Sequence, residues 1–209
     1  MVVLISGSGS NLQAIMDACA SGRIHARIEA VISNRAEAQG LERARRAGIP
    51  TQVVDHRRYG DRQGFDQALA EQIDHYRPGL VVLAGFMRIL TEAFVNHYRG
   101  RMLNIHPSLL PNFQGLKTHQ RALEAGAPEH GVSVHFVTPE LDGGPVVHRA
   151  AVPVQAGDDA QTLARRVLEQ EHRIYPEAIG WFADGRLQLQ GDQAILDGRP
   201  VPQLDQTYP

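Results

Sequence analysis

The residues best suited to chemistry lie in Asn104-Ile-His-Pro107. Met102-Leu103-Asn104-Ile105 has the apolar character of a strand, and alternation puts Asn104 and His106 on one face of it. Pro107 ends the strand, because proline cannot supply the ladder hydrogen bond of an interior strand. An amide and an imidazole thus project together from a strand's carboxyl end, where open parallel sheets place their ligands. An amide can steady a carbonyl oxygen as it becomes an oxyanion, and an imidazole can gain or lose a proton near neutral pH. The same pair could equally tie down a loop.

Two glycine-rich turns add chemical groups. Leu141-Asp-Gly-Gly-Pro145 carries an acid. Either Asp142 sits exposed in an ordinary turn, or the turn folds over the strand ends and brings the carboxylate to His106, fixing the tautomer of the ring. Ser6-Gly-Ser-Gly-Ser-Asn11 joins a first strand to a first helix. It is no Walker loop, lacking a following Lys-Ser/Thr, and it lacks the G-x-G-x-x-G spacing, which disfavours a dinucleotide. Its amides at a helix start suit a phosphate, but Ser10 or Asn11 could instead cap the helix.

Ten histidines raise the question of a metal. No spacing matches a structural zinc pattern or H-E-x-x-H, so no metal is expected. His135, on an alternating stretch, either supports the site or is simply packed. No G-x-S-x-G occurs, which argues against a serine hydrolase. Cys19, the only cysteine, lies in an apolar helical pattern and is expected to be a packed thiol. One cysteine permits no internal disulfide and fits a reduced, cytoplasmic setting.

These groups need a scaffold, and the chain supplies one. Its 209 residues, 43% hydrophobic, are enough for one α/β domain with a full core. The net charge of -2, without a basic run, points away from nucleic acid, and no apolar run reaches membrane-spanning length. Apolar strands are expected at Val2–Ile5, Ile28–Ile32, Gln52–Val54, Leu80–Ala84 and Met102–Ile105. Helical spacing occupies Asn11–Ala20, Leu41–Ala47, Phe65–Tyr76 and residues 91–98 between them. This alternation predicts an α/β fold with a doubly wound, mostly parallel sheet. After residue 110 the pattern turns antiparallel. Gly131–Val137 alternates, with a partner at Val146–Val154 interrupted by Pro153. Asp158–Ile179 is expected to be one long helix bent at Pro176, and the tail a hairpin across Gly191-Asp192.

Ser6–Asn11, Leu80-Val-Val-Leu-Ala-Gly-Phe-Met-Arg-Ile-Leu90, Asn104-Ile-His-Pro-Ser-Leu-Leu-Pro111 and Leu141–Pro145 occur in this order. Together they closely resemble the phosphoribosylglycinamide formyltransferases, folate-dependent enzymes of purine biosynthesis. Residues 171–185 resemble them too, so the likeness spans nearly the whole chain. It implies one Rossmann-like formyltransferase domain over 1–209. Residues 1–105 would be the nucleotide-phosphate-binding half. Residues 106–209 would be the folate and catalytic half with the C-terminal hairpin. It also implies transfer of the formyl group of 10-formyltetrahydrofolate, a co-substrate, to the amine of 5-phosphoribosylglycinamide by direct attack, with no metal. Asn104, His106 and Asp142 match the catalytic positions. Gly9, Ser10, Asn11 and Glu171 match the ribonucleotide site. Arg62, Met87, Arg88, Ile89, Leu90 and Asn104 match the folate site, and residues 138–142 the loop around the pterin.

Leu168 departs from the resemblance. Three residues before Glu171 a polar or basic side chain is expected near the phosphate, and leucine supplies neither charge nor hydrogen bond. Arg165, one helical turn earlier, is the expected replacement. The partners implied are the two small substrates, with neither nucleic acid nor membrane, for a monomer or homodimer. The alternatives are another formyl-group enzyme of the same superfamily, acting on initiator tRNA or hydrolysing formylfolate, and a non-catalytic nucleotide-binding protein. The first two usually carry an extra domain for which 209 residues leave no room.

Overall fold

A computed structural model describes residues 1–209. The parallel strands are β1 (Val2–Ile5), β2 (Ala30–Ser33), β3 (Thr51–Val53), β4 (Val81–Leu83) and β5 (Met102–His106). All residues of β1, β2 and β4 are buried, which explains their continuous apolar character: helices cover both faces of the sheet. The helices are α1 (Ser10–Ala20), α2 (Gln39–Arg46), α3 (Arg62–His75), α4 (Glu92–His97), α5 (Thr118–Glu124) and α6 (Ala160–Ala183).

The sheet has seven strands in the order β3-β2-β1-β4-β5-β6-β7. The first five are parallel. β6 (Glu129–Phe136) and β7 (Val146–Pro153) join antiparallel. The expected doubly wound sheet is therefore present, with its strand order reversing between β1 and β4. Ligand crevices open at such a reversal, beyond the carboxyl ends of the strands. The antiparallel part divides in two. β6 and β7 extend the main sheet, whereas β8 (Leu187–Gln190), β9 (Gln193–Leu196) and β10 (Arg199–Pro200) form a separate sheet.

Two expectations are corrected, and two short elements are added. Pro153 does not interrupt β7 but ends it, on an edge strand where a missing N–H costs no ladder bond. The long helix begins at Ala160, capped by Asp159 accepting from the Thr162 amide, and runs through the buried Pro176 to Ala183. The seven-residue α5 and the two-residue β10 escape sequence reading because each is too short to show a period.

α6 ties the sheet to the site. Its Tyr175 is fully buried, with its hydroxyl 2.8 Å from the Leu83 carbonyl and 3.0 Å from that of Leu103. One hydroxyl thus bridges β4 and β5 just before the residues that leave them for the crevice. Burial pushes its pKa well above the usual phenol range.

Candidate active site

Asn104 and His106 share one face at the carboxyl end of β5. Register puts Asn104 directly opposite His135 on β6. Their side chains meet, Asn104 Nδ2 lying 3.1 Å from His135 Nε2. The other ring nitrogen, Nδ1, lies 2.9 Å from the Phe136 carbonyl oxygen. A carbonyl only accepts, so Nδ1 carries the proton and Nε2 accepts from the amide. Burial pushes the His135 pKa down to about 4, outweighing the pull of Asp142, so the ring is a neutral acceptor at pH 7.

His106 is buried between two acceptors. Its Nε2 lies 3.0 Å from the Phe113 carbonyl oxygen and its Nδ1 3.4 Å from Asp142 Oδ2. A carbonyl only accepts, so Nε2 carries a proton, whereas the Nδ1–Asp142 approach is an ion-pair distance without a hydrogen bond. The wider spacing leaves Nδ1 as the loosely held edge.

Asp142 reaches His106 through a turn that only certain residues permit. It sits at φ 50°, in the left-handed region. At Gly144 a Cβ would collide with the Phe136 carbonyl oxygen, so the turn lies flat on β6 only with glycine there. Asp142 Oδ2 also accepts from the Gly115 amide at 3.0 Å. Its Oδ1 has no hydrogen-bond donor, and His135 Nε2, at 3.8 Å, is unprotonated. The three expected catalytic residues thus converge, and the alternative of an exposed turn aspartate is excluded by its one-tenth exposed side chain.

The Ser6–Asn11 loop forms a second feature, lining a cavity of about 320 Å³ with Arg35, Gly85 and Met87. Gly9 is the N-cap of α1 at φ 72°, and no side chain caps the helix. The amides of the first turn therefore point into the cavity end unclaimed, as an anion requires. This corrects the expectation that Ser10 or Asn11 might serve as cap. Gly9 also packs against α2, where a Cβ would come within 2.6 Å of the Gly40 Cα. Asn11 donates to Glu171 Oε2 at 2.6 Å, leaving its Oδ1 buried without a partner. Burial raises the Glu171 pKa, only partly opposed by this bond.

Arg165 does not meet its expectation. It is exposed, donates to Thr162 Oγ1 at 3.2 Å and does not line the cavity. Leu168 is half-buried on the same helix. The basic residue lining the cavity is Arg35, which follows β2 and makes no side-chain hydrogen bond or ion pair. Arg43 braces the loop from behind, donating to the Ser8 carbonyl at 2.9 Å. Sequence reasoning missed both, since neither lies near the loop in the chain.

Met87, Arg88, Ile89 and Leu90 follow β4 as irregular backbone, pinned where the Met87 amide donates to Ser6 Oγ at 2.8 Å. Met87 and Ile89 are 62% and 55% exposed, an uncovered apolar edge beside the site. Arg88 lies over the Phe65 ring at 5.8 Å, with its Nε buried and unpartnered. α3 carries both Phe65 and, one turn earlier, the exposed Arg62, which makes no hydrogen bond or ion pair. The larger cavity, about 620 Å³, shares only Asp142 with the catalytic set and is floored by the tail at Gln203 and Leu204. Nowhere do three or more His, Cys, Asp or Glu side chains gather as a metal site would require.

Comparison with known proteins places these features in company. A sequence model described as Formyl transferase matches residues 1–179. The phosphoribosylglycinamide formyltransferase of Escherichia coli (strain K12) is 58% identical over 202 residues, covering 97% of this chain and 95% of the relative. The human trifunctional purine biosynthetic protein adenosine-3 is 48% identical over 189 residues, 90% of this chain but 19% of that protein. Among solved structures, a phosphoribosylglycinamide formyltransferase from Coxiella burnetii superposes with a TM-score of 0.93 at 53% identity. That match covers 100% of this chain and 98% of the other.

Proposed function

The chain belongs to the formyl transferase family, and from that membership we propose how its residues divide the reaction. The chain transfers the formyl group of 10-formyltetrahydrofolate to the amine of 5-phosphoribosylglycinamide in purine biosynthesis. The substrate amine attacks the formyl carbon, forming a C–N bond and a tetrahedral oxyanion. Collapse breaks the bond from that carbon to the folate nitrogen, which takes up a proton.

Asn104 and His106 stabilise the oxyanion. Nδ2 of Asn104 has two protons, and the neutral His135 takes one, which orients the other for the developing charge. His106, protonated at Nδ1 and held through Nε2 by the Phe113 carbonyl, offers its Nδ1–H, which no group of the protein hydrogen-bonds, to the oxyanion. Asp142 does two things. Its Oδ2, fixed by the Gly115 amide, sets a negative charge 3.4 Å from the ring, and its unclaimed Oδ1 accepts the amine proton through water. The observation that carries this assignment is the convergence of these three side chains at the end of one strand.

The ribonucleotide phosphate binds at the amides of Gly9, Ser10 and Asn11, with the Arg35 guanidinium in place of the cation absent at Leu168. Glu171, tied to Asn11, faces the ribose. The folate lies along Met87, Ile89 and Leu90, and Arg62 and Arg88 take its carboxylates, to which a guanidinium fork is matched. Residues 1–209 act as one domain that does not divide into a phosphate half and a folate half: the first 105 residues supply the phosphate loop, the folate wall and Asn104, and the rest supply His106, Asp142 and Glu171. The partners are the two small substrates, and the setting is the cytoplasm; no helix is long and apolar enough to cross a membrane.

The test is to mix the protein with 10-formyltetrahydrofolate and follow the folate absorbance with and without the ribonucleotide. A change only when both are present is expected. A change with folate alone would mean hydrolysis, and no change in either mixture would overturn the reading.

A further inference from the structure

The carbonyl that holds His106 belongs to Phe113, and Phe113 is itself held from outside the site. It sits at φ 55°, a left-handed conformation that a bulky residue adopts only when its surroundings fix it. Its ring is buried and stacks on Tyr208, with centroids 5.4 Å apart and planes at 15°. The neighbouring Asn112 accepts at Oδ1 from the amides of Thr207 (2.7 Å) and Tyr208 (2.8 Å). Arg121 lies over the far part of the same assembly, 5.6 Å from the Phe113 ring, and donates to the Pro209 carbonyl at 2.6 Å. The final residues of the chain thus grip two consecutive loop residues by a stacked ring and two amide hydrogen bonds.

That loop segment positions two groups of the catalytic set. The Phe113 carbonyl faces His106 Nε2 at 3.0 Å, and the Gly115 amide donates to Asp142 Oδ2 at 3.0 Å. A shift of residues 113–115 would move the imidazole and the carboxylate together. We propose that Tyr208 is a positioning residue for the reaction: by stacking on Phe113 it fixes the carbonyl that orients His106. Its aromatic ring carries the role. The phenol hydroxyl makes no hydrogen bond to the protein, whereas the ring stacks on Phe113. This inference rests on the reading that His106 stabilises the oxyanion.

The test compares Tyr208→Ala, Tyr208→Phe and His106→Ala in the full chain. Displacing a catalytic group by a fraction of an ångström to an ångström costs roughly ten- to a hundred-fold in rate. Tyr208→Ala is expected to lower kcat about ten-fold while both KM values and the melting temperature stay near the parent's. Tyr208→Phe is expected to restore kcat. A parent-like kcat in Tyr208→Ala overturns the proposal, as does a loss that Tyr208→Phe fails to restore. So does a loss that comes with an equal rise in either KM. Should Tyr208→Ala melt below the assay temperature, Asn112→Ala, which removes the acceptor for both tail amides, is read by the same criteria. His106→Ala separates the two readings: if it turns over normally, the assignment of His106 itself has failed, and if it alone is impaired, only the role of Tyr208 has.

Discussion

His135 stands directly across the β5–β6 ladder from Asn104, and its unprotonated Nε2 takes one proton of the Asn104 amide at 3.1 Å. The amide therefore cannot flip without losing that bond. Nor can a protonated His135 serve, because it would present a donor to a donor. Replacing His135 with Leu is expected to lower kcat about ten-fold, one hydrogen bond's worth of order, with smaller changes in KM. His135→Gln, which can offer an acceptor in a similar place, should lose less. Equal kcat in the parent and His135→Leu would remove His135 from the account.

The phosphate shell gives a choice between two arginines. Arg35→Ala is expected to raise the KM for the ribonucleotide by about ten- to a hundred-fold, the loss of a charged hydrogen bond of roughly 1–3 kcal/mol. Arg165→Ala, which only unmakes a bond to Thr162, should leave it unchanged. Steady-state kinetics with saturating folate decide between them, and the reverse pattern would restore Arg165.

Arg62 is exposed and unpaired, and Arg88 has a buried Nε without a partner. Both are expected to serve the folate carboxylates. Arg62→Ala should raise the folate KM several-fold and leave kcat nearly unchanged, the signature of uniform binding. A lower kcat at unchanged folate KM would count against it.

His130 is buried with both ring nitrogens unpartnered, and burial pushes its pKa down to about 4, with His119 and His106 adding to the effect. The unfolded chain takes that proton near pH 6.5, whereas the folded ring refuses it until about pH 4. The unfolded state therefore binds more protons through this window, and stability falls as pH drops from 6.5 toward 4. Thermal melts at pH 7 and pH 5 should show a smaller drop in His130→Leu than in the parent. An identical drop in both would show that His130 does not carry it.

Much of this site could be seen in the sequence, and the limits have a physical origin. Alternation over Met102–His106 placed Asn104 and His106 on one face because a strand's period is local. Glycines marked both turns because turn chemistry is equally local. The partners of these groups were hidden, since they depend on register and packing. Which β6 residue would oppose Asn104 follows from the pairing, not from the alternation of Gly131–Val137. The acceptor for His106 is a backbone carbonyl, which no side chain advertises. Arg165 failed because residues three apart on a helix share a neighbourhood without sharing a direction, and α6 turns that edge to solvent. Arg35 and Tyr208 reach the site from distant parts of the chain.

The central claim is that His106 and Asp142 work as one unit at the end of β5, joined across 3.4 Å. A kinetic cycle of His106→Ala, Asp142→Ala and the double variant tests it most directly, with kcat/KM measured for formyl transfer. Each single loss should be about two to four orders of magnitude, the range for acid–base and oxyanion groups. The double variant should be little worse than the weaker single, because either change alone disables the pair. Losses that multiply in full would contradict the account, since two independent groups behave that way and a coupled pair does not.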